Sequence, residues 1–187
     1  MASSTEPQAR SGAPPPYSGP LRTVYDETHR GVWHPELSID SLGNAANLLG
    51  YLENHSPTTD GSFSICFAGG SGVFISQALY NSIPLEHRPA LDTSDAGKSV
   101  NLTIIGGTMT TVGSILFPFI LTTDESEQVR LVLKVYVVPN LLMGMFWGQG
   151  QTGFKWSYQY GGFQNPNGHG PRFNFDFGRG DFHFYGI

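Results

Sequence analysis

The chain has 187 residues, a formal net charge of −5 and only 13% charged side chains. That length suits one domain of ordinary size with tails, and the lack of a basic stripe argues against nucleic acid as a partner. One cysteine, Cys66, excludes an internal disulfide framework and a multi-cysteine zinc site. The 24 glycines, 13 Phe and 8 Tyr favour strands and tight turns.

Residues 1–30 are rich in Pro, Ser and Gly and are expected to be a disordered tail. The opening "MASSTEPQARSGAPPPYSGP" has no apolar core of the kind a signal peptide needs. No apolar stretch is long enough to cross a bilayer as a helix. The expectation is an intracellular, cytoplasmic protein with no membrane partner. Within the tail, Pro14-Pro15-Pro16-Tyr17 fits the PPxY pattern that WW domains bind as a preformed polyproline II segment. Pro14, Pro15 and Tyr17 are therefore candidate WW-ligand residues.

Residues 31–60 read as a helical lead-in. In "SIDSLGNAANLLGYLEN", Leu42, Ala45 or Ala46, Leu49 and Leu52 recur at helical spacing, with Asp40 or Ser41 as a cap. Gly43 and Gly50 weigh against that helix.

Residues 61–150 read as β. Phe63, Ile65 and Phe67 alternate with Ser62, Ser64 and Cys66, which is period two. The loop "AGGSG" leads into a strand, "GVFIS", and "SQALYNSIP" predicts a short helix ended by Pro84. "SVNLTII" is a strand, and "GGTMTTVG" a glycine-bounded hairpin tip. "SILFPFILT" and "VRLVLKVYVV" are two more strands, with Pro118 hinting at an edge or bulge. Short strands at regular spacing with one or two short helices predict a mainly all-β fold, a closed barrel flanked by flexible tails.

Residues 151–187 are almost wholly Gly, aromatic and polar. They are expected to be a Gly/aromatic-rich tail, although "RFNFDF" and "DFHFYGI" alternate as a strand that adds to a sheet would.

The order of parts between residues 60 and 150 resembles the retropepsin-like aspartic protease domain of retroviruses and LTR retrotransposons. The resemblance is carried by "FAGGSGVFIS", the short helix ending in "IP", the glycine-flanked "IIGGTMTTVG", and "VYVVPNLLMGMFWG". It implies a retropepsin-like barrel over 61–150. It also implies a flap hairpin formed by Ile105, Gly106, Gly107, Thr108, Met109 and Gly113, which would cover a peptide or protein ligand. Leu142, Met143 and Gly144 would support the catalytic loop from behind, and a homodimer would be the working unit.

The chain departs from that family at the chemistry. Phe67 stands where the resemblance places the catalytic aspartate, Ala68 where it places the Thr or Ser, and Gly69 and Gly70 follow as the degenerate loop. An aspartic protease needs two carboxylates sharing one proton, one acting as base for water and the other as acid. A phenyl ring supplies neither. The expectation is a non-catalytic pseudoprotease used in binding or assembly. Two alternatives stand beside it: an active peptidase with a displaced acid at Asp92, and an interaction protein working through its PPxY and Gly/aromatic tails. The six histidines show no ligand spacing, so neither metal nor cofactor is expected.

Overall fold

The computed structural model describes residues 21–28, 36–40, 46–55, 61–103, 106–148, 155–166, 168–178 and 180–187. Its elements in chain order begin with β1 (Arg22–Asp26), β2 (Leu37–Ile39), β3 (Ala46–Leu52), β4 (Ser62–Ala68), β5 (Gly70–Ser71) and β6 (Val73–Ser76). Helix α1 (Gln77–Ser82) and a 3-10 turn (Thr93–Asp95) follow. The remaining strands are β7 (Ser99–Leu102), β8 (Gly107–Thr110), β9 (Gly113–Thr122), β10 (Gln128–Val138), β11 (Met145–Gly148), β12 (Lys155–Gln159), β13 (Arg172–Asp176) and β14 (Asp181–Tyr185).

Six strands close on themselves in the order β10-β6-β11-β4-β3-β9, with β9 pairing back to β10. The fold is thus mainly β with a closed barrel, as the strand pattern predicts. Period two explains its interior. Phe63, Ile65 and Phe67 of β4 point inward beside Ile115, Phe117, Phe119 and Leu121 of β9. Val129, Leu131, Leu133, Val135 and Val137 of β10 and Met145 and Trp147 of β11 complete the set. Each such side chain contributes about 1.5–3 kcal/mol on leaving water. The intervening residues Cys66, Phe74, Tyr136, Val138 and Phe146 face outward. They form a second core with Leu37, Ile39 and Val100 of a small sheet ordered β5-β2-β7-β8.

α1 begins where predicted. The Leu79 N–H donates to Ser76 Oγ, which caps the helix, and Pro84 lies just beyond its end. Pro118 pairs opposite Val132 in β10, while the pairing of β3 with β9 stops at Phe119. The proline therefore lies where β9 is flanked on one side.

Three expectations are corrected. The lead-in over 31–60 is not helical where it is described: Leu37–Ile39 and Ala46–Leu52 are strands. Ala46, Leu48 and Leu52 fit an alternating inward set as well as a helical one, and β4 supplies the partner that decides between them. Gly50 lies where a Cβ would come within 2.8 Å of the Phe63 ring, so the residue that weighs against a helix is required by the barrel. Within the span 1–30 expected to be a disordered tail, Arg22–Asp26 forms β1 and pairs parallel with β10. Residues from 155 onward are not a loose tail. β12, β13 and β14 form an antiparallel sheet whose Phe173, Phe175 and Phe184 are buried in the barrel's own core. Among the described residues, no helix is long and apolar enough to cross a membrane.

Candidate functional site

The glycine loop is held by backbone on two sides. On one, β2 pairs with β5, Ser38 opposite Ser71 and Ile39 opposite Gly70, and the Asp40 N–H donates to the Gly69 carbonyl. Gly70 sits at a φ of +124°, and a Cβ there would collide with the Ser38 carbonyl. On the other side β11 ends against the loop: the Gly148 N–H donates to the Gly72 carbonyl at 2.9 Å. A Cβ on Gly148 would meet that same oxygen at 2.7 Å. These glycines are explained by close approach of three backbone segments, with no reacting group involved.

Phe67 is 1% exposed. Its ring stacks on Trp147 at a centroid distance of 5.0 Å and lies 4.9 Å from Trp156, 4.6 Å from Phe173 and 5.9 Å from Phe175. Three of these four partners come from the C-terminal sheet. The position that the resemblance assigns to the aspartate is therefore enclosed by aromatic rings of its own chain. Ala68, one residue on, is half-buried against the second core. It carries no hydroxyl to brace a loop.

The expected flap does not lie over Phe67. β7 and β8 form an antiparallel hairpin, but its Val100 and Met109 pack on the Cys66 side of β4, whereas Phe67 belongs to the barrel interior. Neighbouring residues of a strand face opposite sides, so hairpin and ring lie on different faces. Ile105 is outside the described residues. Gly106 is at the hairpin tip, Gly107, Thr108 and Met109 belong to the returning strand, and Gly113 opens β9 packed against Leu91 and the Asp92 carbonyl. The supporting role falls mainly on residues just after those expected. Leu142 is 102% exposed and Met143 packs at the rim of the second core. Gly144 contributes a carbonyl that accepts from the Ser76 N–H. It is Met145–Gly148 that lies between β4 and β6, with Trp147 paired to Phe67. Pro14, Pro15 and Tyr17 are outside the described residues.

Asp92 is exposed. Its carboxylate accepts from the Ser94 N–H at 3.0 Å and from Ser94 Oγ at 2.6 Å, capping the 3-10 turn. The Ser94 hydroxyl, and then its N–H, hold the carboxyl below the usual range. A cap of this kind is a structural use of an Asp-Thr-Ser triplet.

Asp95, which no motif or spacing in the sequence singles out, is buried. Lys98 Nζ lies 2.6 Å from Oδ1 and Lys134 Nζ 3.0 Å from Oδ2, and Ser114 Oγ donates to Oδ2 at 2.6 Å. Burial alone would raise this carboxyl, but Lys98, Ser114 and Lys134 outweigh it and hold it well below the ordinary range. Both ammonium groups also lie over the Tyr136 ring. The Tyr136 hydroxyl is pushed up to about 12, chiefly by burial and further by Asp95 and Glu27. The available signal was Lys134, a charge inside the apolar strand "LVLKVYVV". Cys66 is buried and its thiol is pushed up by burial, which disfavours the nucleophilic thiolate. Among the described residues, no group of three His, Cys, Asp or Glu is placed to hold a metal ion.

What this arrangement offers chemically is a braced, carboxylate-free loop, an ionised capping Asp92 and a salt-bridged Asp95. No family model, curated protein or solved structure matches the chain.

Proposed function

We propose that the chain is a catalytically silent, retropepsin-like barrel of retroelement origin that works by binding or assembly. The observation that carries this reading is the packing of Phe67 among Trp147, Trp156, Phe173 and Phe175. Peptide hydrolysis by the aspartic mechanism needs a shared proton between two carboxylates and an activated water. An enclosed aromatic cluster holds no proton donor of that kind and excludes the water. The capping role of Asp92 speaks against a displaced acid, since its carboxylate is already engaged by Ser94. The amino-terminal PPxY segment would then recruit a WW-domain protein, and the barrel would be the folded body that segment is attached to.

The test is to incubate the full chain with a peptide library across the acidic range, with and without pepstatin. No cleavage is expected. Pepstatin-sensitive cleavage by the unmodified protein overturns the proposal, and loss of that cleavage in Asp92→Asn would reassign the acid.

A further inference from the structure

We propose that the cavity between the β9–β10 turn, β3 and β14 is a binding site for a small arylalkylamine, an aromatic ring carrying a protonated amine on a short linker. The cavity measures about 250 Å³. β3 lends it Leu49 and Tyr51, β9 ends in it at Leu121, and β14 lends Phe184 and Tyr185. Its walls are tied to one another, so the space is preformed. The Asp124 N–H donates to the His183 carbonyl, and the Ile187 N–H donates to the Asn47 carbonyl. Arg172, which does not line the cavity, holds the Asp124 carboxylate through Oδ2.

The ligand class follows from size, wall chemistry and charge. An apolar cavity of about 150 Å³ holds one benzene ring. The larger volume here leaves room for a ring and a short linker. Rings and leucines make most of the wall, which suits an apolar body. A sugar or another polyol would press hydroxyls against side chains that cannot bond them. The polar groups come from one place, the turn that supplies Thr123, Asp124 and Ser126. Thr123 Oγ1 already accepts from the Glu127 N–H. The Asp124 side chain is 14% exposed, and its Oδ1 accepts no hydrogen bond among the described residues. Oδ1 is therefore the acceptor that a ligand donor would meet. The surroundings set the sign of the head group. An adjoining cleft shares Thr123 and Asp124 with the cavity and adds Glu125, Glu127 and Asp181. Arg172 offsets Asp124, and Arg22 offsets Glu127. Among the described residues no cation is paired with Glu125 or Asp181, so the field at this end is negative and favours an ammonium over a carboxylate.

The site is separate from Phe67 and does not rest on the silent-barrel reading, so either can fail alone. The test titrates the full chain with phenethylamine and follows its amide NMR shifts. Saturable shifts confined to 121–126, 184–187 and β3 are expected, with β7 and β8 unmoved. Phenylethanol, the same size without the charge, should bind about threefold more weakly, and phenylacetate about tenfold more weakly. Butylamine, a charge without the ring, should give no saturable shift. Leu49→Trp fills the cavity and should abolish the phenethylamine shifts. Leu142→Trp, at the fully exposed Leu142, should leave them intact. Asp124→Asn should remove most of the preference for amine over alcohol. The ligand series does not depend on either cavity variant folding. An absence of saturable shifts, shifts spread beyond the cavity, equal affinity for amine and acid, or binding that survives Leu49→Trp overturns the proposal.

Discussion

The rings of Phe67 and Phe173 lie with centroids 4.6 Å apart, one near the end of a barrel strand and the other in the central strand of the C-terminal sheet. Barrel and sheet therefore share one core. Further ties are the Arg172–Asp124 ion pair at 2.6 Å and the Asp124 N–H donating to the His183 carbonyl. The Ile187 N–H also donates to the Asn47 carbonyl. Phe173→Ala should cost about 3–5 kcal/mol, as for a buried aromatic truncation. It should do so in one cooperative transition. Urea unfolding followed by tryptophan fluorescence measures it. A separate early transition, or an unchanged midpoint, would show that the sheet folds apart from the barrel.

The same contact predicts what happens when an acid is placed at the position the resemblance assigns to one. Phe67→Asp with Ala68→Thr restores the residue types the resemblance calls for, but inserts a carboxylate among four aromatic rings. Losing the ring and desolvating the acid together should destabilise the chain by about 4 kcal/mol or more. No proteolysis is expected, because the C-terminal sheet still covers the position. Thermal melting and an acid-pH peptide assay on the double variant check both parts, and acquired peptidase activity with an unchanged melting point would contradict them.

How far the sequence carries depends on where each strand's partner lies. The barrel strands were legible because Phe63, Ile65 and Phe67 state their period locally, and because "VRLVLKVYVV" is too apolar to be anything but core. β3 was not, since Ala46, Leu49 and Leu52 satisfy a helical spacing while Ala46, Leu48 and Leu52 satisfy an alternating one. Pairing with β4 decided the matter. β1 is five residues long and pairs with β10, far away in the chain, so nothing local announced it. The C-terminal segment has too few aliphatic residues to make a core by itself. It makes one by borrowing Phe67 and Trp147 from the barrel, a contribution that composition within the segment cannot show. At the candidate site the sequence placed Phe67 in the loop, but not the rings around it or the two lysines on Asp95.

Asp95 yields a pH prediction. Its carboxyl is depressed in the folded chain by Lys98, Ser114 and Lys134 acting against burial. Its stabilisation is therefore fully present above the unfolded carboxylate value of about 3.9 and is lost as pH falls below it toward the folded value. Asp95→Asn removes the charge and should lower stability at neutral pH by about 2–3 kcal/mol, leaving both lysines without their counter-charge. The gap between variant and wild type should narrow as pH is taken from about 5 to 3. Denaturation midpoints across that range check it, and a gap that stays constant would show that the ion pairs contribute nothing.

The loop's glycines make the last prediction, which separates architecture from chemistry. Gly148 lies where a Cβ would press on the Gly72 carbonyl at 2.7 Å and on Gly70 at 3.0 Å, all of it backbone that cannot swing aside. Gly148→Ala should therefore cost about 1–3 kcal/mol, the range for overpacking a tight site. Gly162 is the matched control: no atom lies within 4 Å of its Cβ position, although its φ of +74° adds a smaller backbone cost. Gly162→Ala should thus be the milder change, at about 1 kcal/mol. If both variants melt together, β11 does not brace the loop. If Gly148→Ala alone is severe, the loop's glycines serve the close passage of β2 and β11, which accounts for the loop's shape without any reacting group at Phe67.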